Sequence, residues 1–526
     1  MHRSTTLAEA KKSLTVKEKV GQLFMPAAFI NDSEEEIQQL EQLIREQGIG
    51  GLCFFHSRAS AATNFEGKKE VIKNEESFRT LQNLIIRYQK AAKHPLLMAI
   101  DAEWGLAMRV ERTPQYPYAI TLGAIQGNDE LIFEVGQHIA QDCKAAGLHW
   151  NLSPVVDLNS DPNNPVIGYR SFGDDKLKVF EKADAYIRGM ESEGVLSSIK
   201  HFPGHGDTAT DSHLGLPLID KSKDELFQNE LYPFQKLIDS GVDSVMIGHL
   251  SVPSLTSNAT RPSSINKNII KGVLRQEMGF TGVVISDALN MHAVSKNYPG
   301  PGELEWLAFD AGNDILCFAE HIPEGVKTIL SRATPHQVEE SFERIWQLKE
   351  KAMKAQVPEF NPNSGLSSVN GLNRKLAEHS LTLFKGTETK ITKFRNTDHY
   401  TLSIKRQDKN EPVPHILKTL KRIRSEVIDQ ENIRLLLTPP RVKPANNFGF
   451  LKAEIDFINE IISKKKVVLY HFGNPYALQL FKIENTWATV IAYQGFPEFH
   501  EVAEQHFMGH VQAIGKLPVS LKQNER

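Results

Sequence analysis

Gly194-Val195-Leu196-Ser197-Ser198-Ile199-Lys200-His201-Phe202-Pro203-Gly204-His205-Gly206-Asp207-Thr208-Ala209-Thr210-Asp211-Ser212-His213 joins an apolar run to a loop dense in titratable groups. The run to Ile199 reads as a buried strand, and Pro203 with the glycines breaks it. Three histidines and two aspartates follow within fourteen residues, a cluster that packing does not require. Polar groups delivered at the end of a core strand are how α/β enzymes present their chemistry.

Working outward, the same pattern recurs. Gly21–Met25, Gly51–Phe55, Leu96–Ile100, His149–Val156, Val195–Ile199, Ser244–Ile247, Val283–Ser286 and Asp314–Cys317 all read as strands. Near-continuous apolar strands separated by amphipathic helices imply a parallel sheet covered on both faces. Eight such units fit a (β/α)8 barrel of the TIM type. A doubly wound open sheet is the alternative, but no Gly-x-Gly-x-x-Gly turn follows the first strand. Helices are expected at Glu34–Gln47, closed by Gly48, at Lys223–Ser240 before Gly241, and at Val338–Ala355.

The chain of 526 residues is too long for one core. Val357-Pro358-Glu359-Phe360-Asn361-Pro362 opens a stretch that reads as a linker. The expected division is therefore a barrel over 1–356, a linker over 357–370 and a smaller C-terminal α/β sandwich over 371–526. In that second part a helix is expected at Leu372–Leu383, strands at Arg434–Leu437 and Val467–Tyr470, and a turn at Gly473-Asn474-Pro475. Ile391–Glu431 is polar and weakly periodic, so its elements are left unassigned.

A hydrophobic share of 40% with 24% charged residues is ordinary for a globular protein, and a net charge of −3 gives no reason to expect nucleic acid or an anionic membrane as partner. No apolar run is long enough to span a bilayer. The polar start, Met1–Lys12, has no signal-peptide core, which points to the cytoplasm, or to a periplasmic or exported protein if a signal was removed before Met1. Cys53, Cys143 and Cys317 are scattered in apolar surroundings and read as small buried hydrophobes.

Charged residues stand at one consistent end of these strands. Asp101, with Glu103 and Arg109, follows Leu96–Ile100; Asp157 follows the next strand, and its loop carries Arg170. Lys200 and His201, then His249, then Asp287 close three more. In a barrel these ends converge on one mouth. Asp287 is the sharpest case: a carboxylate between apolar runs can attack an electrophilic carbon, although Asp after a strand is also a common helix N-cap. The loop after Gly204 has two readings. His201, His205, Asp207, Asp211 and His213 are potential metal ligands, without a familiar zinc spacing. Alternatively, Asp211 and His213 share one side of an extended segment, and the aspartate orients the ring for proton transfer.

Lys200–Gly206 with Asp211-Ser212-His213 resembles the signature of glycoside hydrolase family 3, in its β-N-acetylglucosaminidase branch. Asn164-Pro165-Val166-Ile167-Gly168-Tyr169-Arg170-Ser171-Phe172-Gly173 is similar to that branch's arginine loop, and Gly282–Leu289 to its nucleophile strand. Gly509–Ser520 resembles the close of the family's second domain. The resemblance implies Asp287 as nucleophile, His213 as general acid/base assisted by Asp211, and Asp101, Arg109, Arg170, Lys200 and His201 as the holders of a terminal N-acetylglucosamine. It implies a retaining, exo-acting enzyme of cell-wall or chitin-type oligosaccharides, with a small carbohydrate as partner, no cofactor and no metal. Many relatives have Asp-x-Glu-Gly-Gly-Arg-Val-x-Arg where this chain has Asp101-Ala102-Glu103-Trp104-Gly105-Leu106-Ala107-Met108-Arg109. Leu106 and Trp104 are departures, and they put the subsite beyond the first sugar in doubt. The alternatives are a β-N-acetylglucosaminide phosphorylase, a β-glucosidase, or a sugar-binding protein without activity.

Overall fold

A computed structural model describes residues 6–58, 73–208, 215–256, 261–355, 365–406 and 411–521. By contacts the chain divides into two compact units. The first holds Met1–Tyr116, Ile132–Leu158 and Ala183–Ser368; the second holds Pro117–Leu131, Asn159–Lys182 and Val369–Arg526. Two segments from the chain's first half thus group with the C-terminal part. Among the described residues no helix is long and apolar enough to cross a membrane.

The first unit is a barrel of parallel strands. Its first strand, in two pieces Phe24–Met25 and Ala27–Phe29, pairs on one side with Gly51–Phe55 and on the other with Leu316–Cys317. From Gly51–Phe55 the pairing passes to Leu97–Ile100, Trp150–Asn151 and Leu196–Ser197, the last continuing as Ile199–Phe202. It goes on to Ser244–Ile247 and Val283–Ser286, and a bridge from Ile285 to Ile315 completes the circle. The strands are buried along their lengths, as expected of staves covered by helices outside and packed side chains inside.

Local signals explain most of the helices. Glu34–Gln47 begins at a capping box of Ser33 and Glu36 and ends at Gly48, whose φ of 62° suits glycine. Two expected boundaries are corrected. Gly21 does not open the first strand: Thr15 and Glu18 form a capping box, Val16–Gly21 is helical, and the strand starts at Phe24. The helix expected over Lys223–Ser240 is broken into Lys223–Gln228 and Leu231–Asp239, with Asn229 in a non-helical conformation between them.

The second unit carries a five-stranded sheet. Tyr400–Ile404, Asn432–Leu437, Lys466–His471 and Ala488–Ile491 run parallel, and Thr382–Lys385 pairs antiparallel at the edge beside Ala488–Ile491. The helix expected over Leu372–Leu383 is Asn370–Ser380, cut short because Thr382 already belongs to that edge strand. The unassigned stretch holds helix Glu388–Arg395, strand Tyr400–Ile404 and helix Val413–Val427. Residues 357–364 of the expected linker lie outside the described residues.

Candidate active site

The fifth strand does not stop at Ile199. Ile199–Phe202 is strand, so Lys200 and His201 are stave residues, both buried, at its C-terminal end. Residues that alternate along a strand face opposite ways. Lys200 reaches Asp101 and Glu103, with Nζ 2.8 Å from Asp101 Oδ1 and 2.9 Å from Glu103 Oε1. The His201 ring instead places Nδ1 2.8 Å from Asp157 Oδ2.

Asp101 is held from two sides. Lys200 donates to Oδ1, and Arg109 Nη2 donates to Oδ2 at 2.8 Å. Burial works to raise its pKa, but the two cations and their hydrogen bonds outweigh this and hold the carboxyl well below the ordinary range. The Arg109 guanidinium also lies over the Phe55 ring, 4.9 Å from its centre, and its Nε is buried without a partner among the described residues. An orphaned donor beside a charged, partly open cluster is a place for a polar ligand to complete the hydrogen bonding.

Asp157 is the hub of the neighbouring loop. It is fully buried and accepts from the backbone N–H of His201 and of His205, the latter at 2.7 Å, as well as facing the His201 ring. Burial pushes its pKa up; His201 and His205, facing it and donating to it, bring the balance below the usual value. His205 Nδ1 is 2.8 Å from Thr208 Oγ1. These partners leave the two rings in a hydrogen-bonded framework, and among the described residues no three His, Cys, Asp or Glu side chains gather as metal ligands.

Asp287 ends the seventh strand. Its backbone N–H donates to the Ile247 carbonyl at 2.9 Å, and its Oδ1 accepts from the Ala288 N–H at 2.7 Å. It does not cap a helix; the next one, His292–Ser295, starts after Met291. Asp101 and Asp287 meet electrostatically at one residue. The Cys317 thiol is pushed up by its hydrogen bond to Cys53, by burial, and by the negative charges of Asp101 and Asp287.

Of the residues singled out in the sequence, Asp101, Arg109 and Lys200 are therefore in direct contact, with His201 and Asp287 at the ends of staves in the same unit. Arg170 groups with the second unit, and its Nη1 donates to the Val166 carbonyl. Asp211 and His213 lie outside the described residues. Sequence reasoning placed Glu103 and Asp157 at strand ends but gave neither a role in the site. The signal for Glu103 was its place two residues after Asp101, where an extended chain repeats a face. Asp157 needed its partners 44 and 48 residues on.

Comparison with known proteins shows the family. A β-hexosaminidase A of Pseudoalteromonas piscicida is 30% identical over 382 residues, 67% of this chain and 61% of the relative. A β-hexosaminidase of Stenotrophomonas maltophilia is 33% identical over 269 residues, 50% of this chain and 78% of the relative. A solved family 3 β-N-acetylglucosaminidase from Paenibacillus sp. superimposes with a TM-score of 0.77 at 24% identity, covering 97% of this chain and 99% of that one, a likeness of fold. The model of the glycosyl hydrolase family 3 N-terminal domain matches residues 15–348, the span of the barrel with its pairing of Asp101, Lys200 and Arg109, and the chain belongs to glycoside hydrolase family 3.

Proposed function

We propose that this protein is an exo-acting, retaining β-N-acetylglucosaminidase that releases terminal N-acetylglucosamine from cell-wall muropeptides or chitin-type oligosaccharides. The observation that carries the reading is the mouth itself: a carboxylate held by two cations, Asp101 with Lys200 and Arg109, in the same barrel whose seventh strand runs into Asp287. The names of the two β-hexosaminidase relatives support the same substrate class.

In this reading the Asp101 cluster takes the sugar hydroxyls, and His201 adds to the grip. Asp287 attacks the anomeric carbon while protonated His213 gives its proton to the departing oxygen. The C–O bond to the aglycone breaks and a glycosyl–aspartate ester forms. Neutral His213 then takes a proton from water, which displaces Asp287 and restores the starting configuration. Asp211 supports the imidazolium charge. A histidine in this role differs from the two-carboxylate arrangement of most glycosidases. It also repels phosphate less than a carboxylate would, so phosphorolysis is the second reading.

The experiment is to incubate the protein with chromogenic N-acetylglucosaminide and glucoside, each with and without phosphate. Release from the N-acetylglucosaminide, unchanged by phosphate, is the expected result. Acceleration by phosphate with sugar phosphate as product selects the phosphorylase, preference for the glucoside selects a β-glucosidase, and no turnover from mild acid to neutral pH selects a binding protein.

A further inference from the structure

We propose that His249 is a positioning residue for the nucleophile, an inference that rests on the assignment of Asp287 above. His249 follows the sixth strand, Ser244–Ile247, and is fully buried. The residues next to its contacts in sequence, Leu250, Ile265 and Leu289, are buried, as are Ser263 and Ser264. An imidazole in such a place is costly unless both nitrogens are satisfied, and a purely space-filling position is met more simply by an apolar side chain.

Both nitrogens are used. Nε2 lies 2.9 Å from the Ala288 carbonyl oxygen, which only accepts, so Nε2 carries the proton. Nδ1 lies 2.7 Å from Ser264 Oγ, which in the neutral ring donates its hydroxyl proton to it. Ser264 is anchored in turn, its carbonyl accepting from Asn313 Nδ2 at 2.8 Å, and Asn313 Nδ2 also donates to Ala308 at 2.6 Å. A line of hydrogen bonds thus runs from Asn313 through Ser264 and His249 to Ala288.

Its end point is the residue that holds the nucleophile. The Ala288 N–H donates to Asp287 Oδ1, the Asp287 N–H donates to Ile247, and the Leu289 N–H donates to Cys317 at 3.0 Å. Residue 288 therefore has its N–H on the Asp287 carboxylate and its C=O on His249. The two groups belong to successive peptides, so holding the Ala288 carbonyl restrains the residue whose N–H engages the carboxylate, and with it the direction in which the other oxygen faces. The same chain segment borders the sugar cluster, since Gly248 packs so closely on His201 that a Cβ there would come within 3.1 Å of the histidine Cβ. A nucleophile displaced by about 1 Å loses on the order of 100-fold in rate.

The test uses full-length protein and its His249→Leu and His249→Gln variants. Glutamine places an amide donor near the position of Nε2; leucine fills the space without one. The readouts are the rate at which a fluorinated N-acetylglucosaminide labels Asp287, and kcat and KM on an activated aryl N-acetylglucosaminide. His249→Leu is expected to slow labelling and kcat by about 10- to 100-fold while leaving KM and inhibition by N-acetylglucosamine within about threefold. His249→Gln is expected to regain most of the rate, and the pH profile should keep its shape, because His249 transfers no proton to substrate. Labelling of the leucine variant at the wild-type rate would overturn the proposal. So would equal losses in both variants accompanied by loss of cooperative unfolding, which would mark a structural role only. If the wild-type protein turns over substrate but labels at another carboxylate, the Asp287 assignment falls and this inference with it.

Discussion

The barrel holds one carboxylate between two cations at each of its ends, and the two are finished differently. At the C-terminal mouth Asp101 has one donor on each oxygen, from Lys200 and from Arg109. At the opposite end Asp314 stands just before the eighth strand and is fully buried. It accepts from Arg275 at 2.6 Å, from Arg344 at 3.0 Å, from the Ser341 hydroxyl at 2.8 Å and from the Val284 N–H at 2.9 Å. Arg275 is itself completed by the carbonyls of Phe280 and Gly282. Nothing at Asp314 is left for a ligand. At the mouth, Arg109 Nε is still unmatched among the described residues. A saturated ion cluster holds a fold together; an unsaturated one of the same make-up is ready to bind.

The largest effect should come from the proposed nucleophile. Asp287→Asn keeps an oxygen to accept the Ala288 N–H, so the fold and sugar binding should survive while turnover falls by roughly 10⁴-fold or more. Single-turnover kinetics and calorimetry on the same sample check this, and a variant that retains turnover would remove Asp287 from the chemistry. His213→Ala comes next. It should cost poor leaving groups about 100-fold or more and activated aryl groups far less, because only the former need a proton. Equal losses across a leaving-group series would give His213 another task.

Exchanging one cation at each end tests the comparison directly. Lys200→Met leaves Asp101 and Glu103 with Arg109 as the nearby cation, and Arg275→Met leaves Asp314 with Arg344. Breaking a buried pair in this way costs about 3–5 kcal/mol in either place. The distinction lies in function: Lys200→Met should also weaken inhibition by N-acetylglucosamine by more than tenfold, whereas Arg275→Met should leave the inhibition constant of whatever protein remains folded unchanged. Equal losses of sugar affinity at both ends would erase the difference between a binding cluster and a structural one.

How far this was readable in advance depends on the range of each interaction. The helix Glu34–Gln47 and the strand Val283–Ser286 followed from local pattern, and they are where the sequence places them. The first strand was misplaced by a few residues because the apolar run at Gly21 outweighed the Thr15 and Glu18 capping box beside it. Val413–Val427 went unassigned although Ile416, Leu420, Ile423 and Val427 repeat at helical spacing, since Lys418, Lys421, Arg422 and Arg424 dilute the stripe. Lys200 was expected to begin a loop. It stays in the strand because Asp101 and Glu103, about a hundred positions earlier in the chain, neutralise it across the barrel, and no local window contains that pairing. The candidate site residues came from the motifs Asp101–Arg109, Asn164–Gly173, Lys200–His213 and Gly282–Leu289; the contrast between the mouth and the far end needed the three-dimensional structure.

The smallest effect should be found at a second lysine, and it sharpens the same contrast. Lys349, on the last barrel helix, is as buried as Lys200 but faces no carboxylate among the described residues: Nζ donates to the Gln22 side chain and to the Pro95 carbonyl, and lies 5.4 Å from the centre of the Trp346 ring. Burial lowers its pKa to about 7. In the unfolded chain a lysine titrates near 10.4, so between about pH 7 and 10.4 the unfolded state binds a proton that the folded state lacks. Stability against unfolding should therefore rise with pH across that window, by up to about 1.4 kcal/mol per pH unit from this group, and be flat in this respect below it. Lys349→Met removes the titration. At pH 7 it should not lower stability, because a buried charge without a counter-ion costs the fold free energy there. Between pH 8 and 10 the wild-type protein should gain on the variant, and sugar affinity should be the same in both at every pH. Parallel stability profiles for the two proteins would mean that Lys349 keeps its proton in the fold, and that carbonyls and an indole serve a buried ammonium as well as Asp101 and Glu103 serve Lys200.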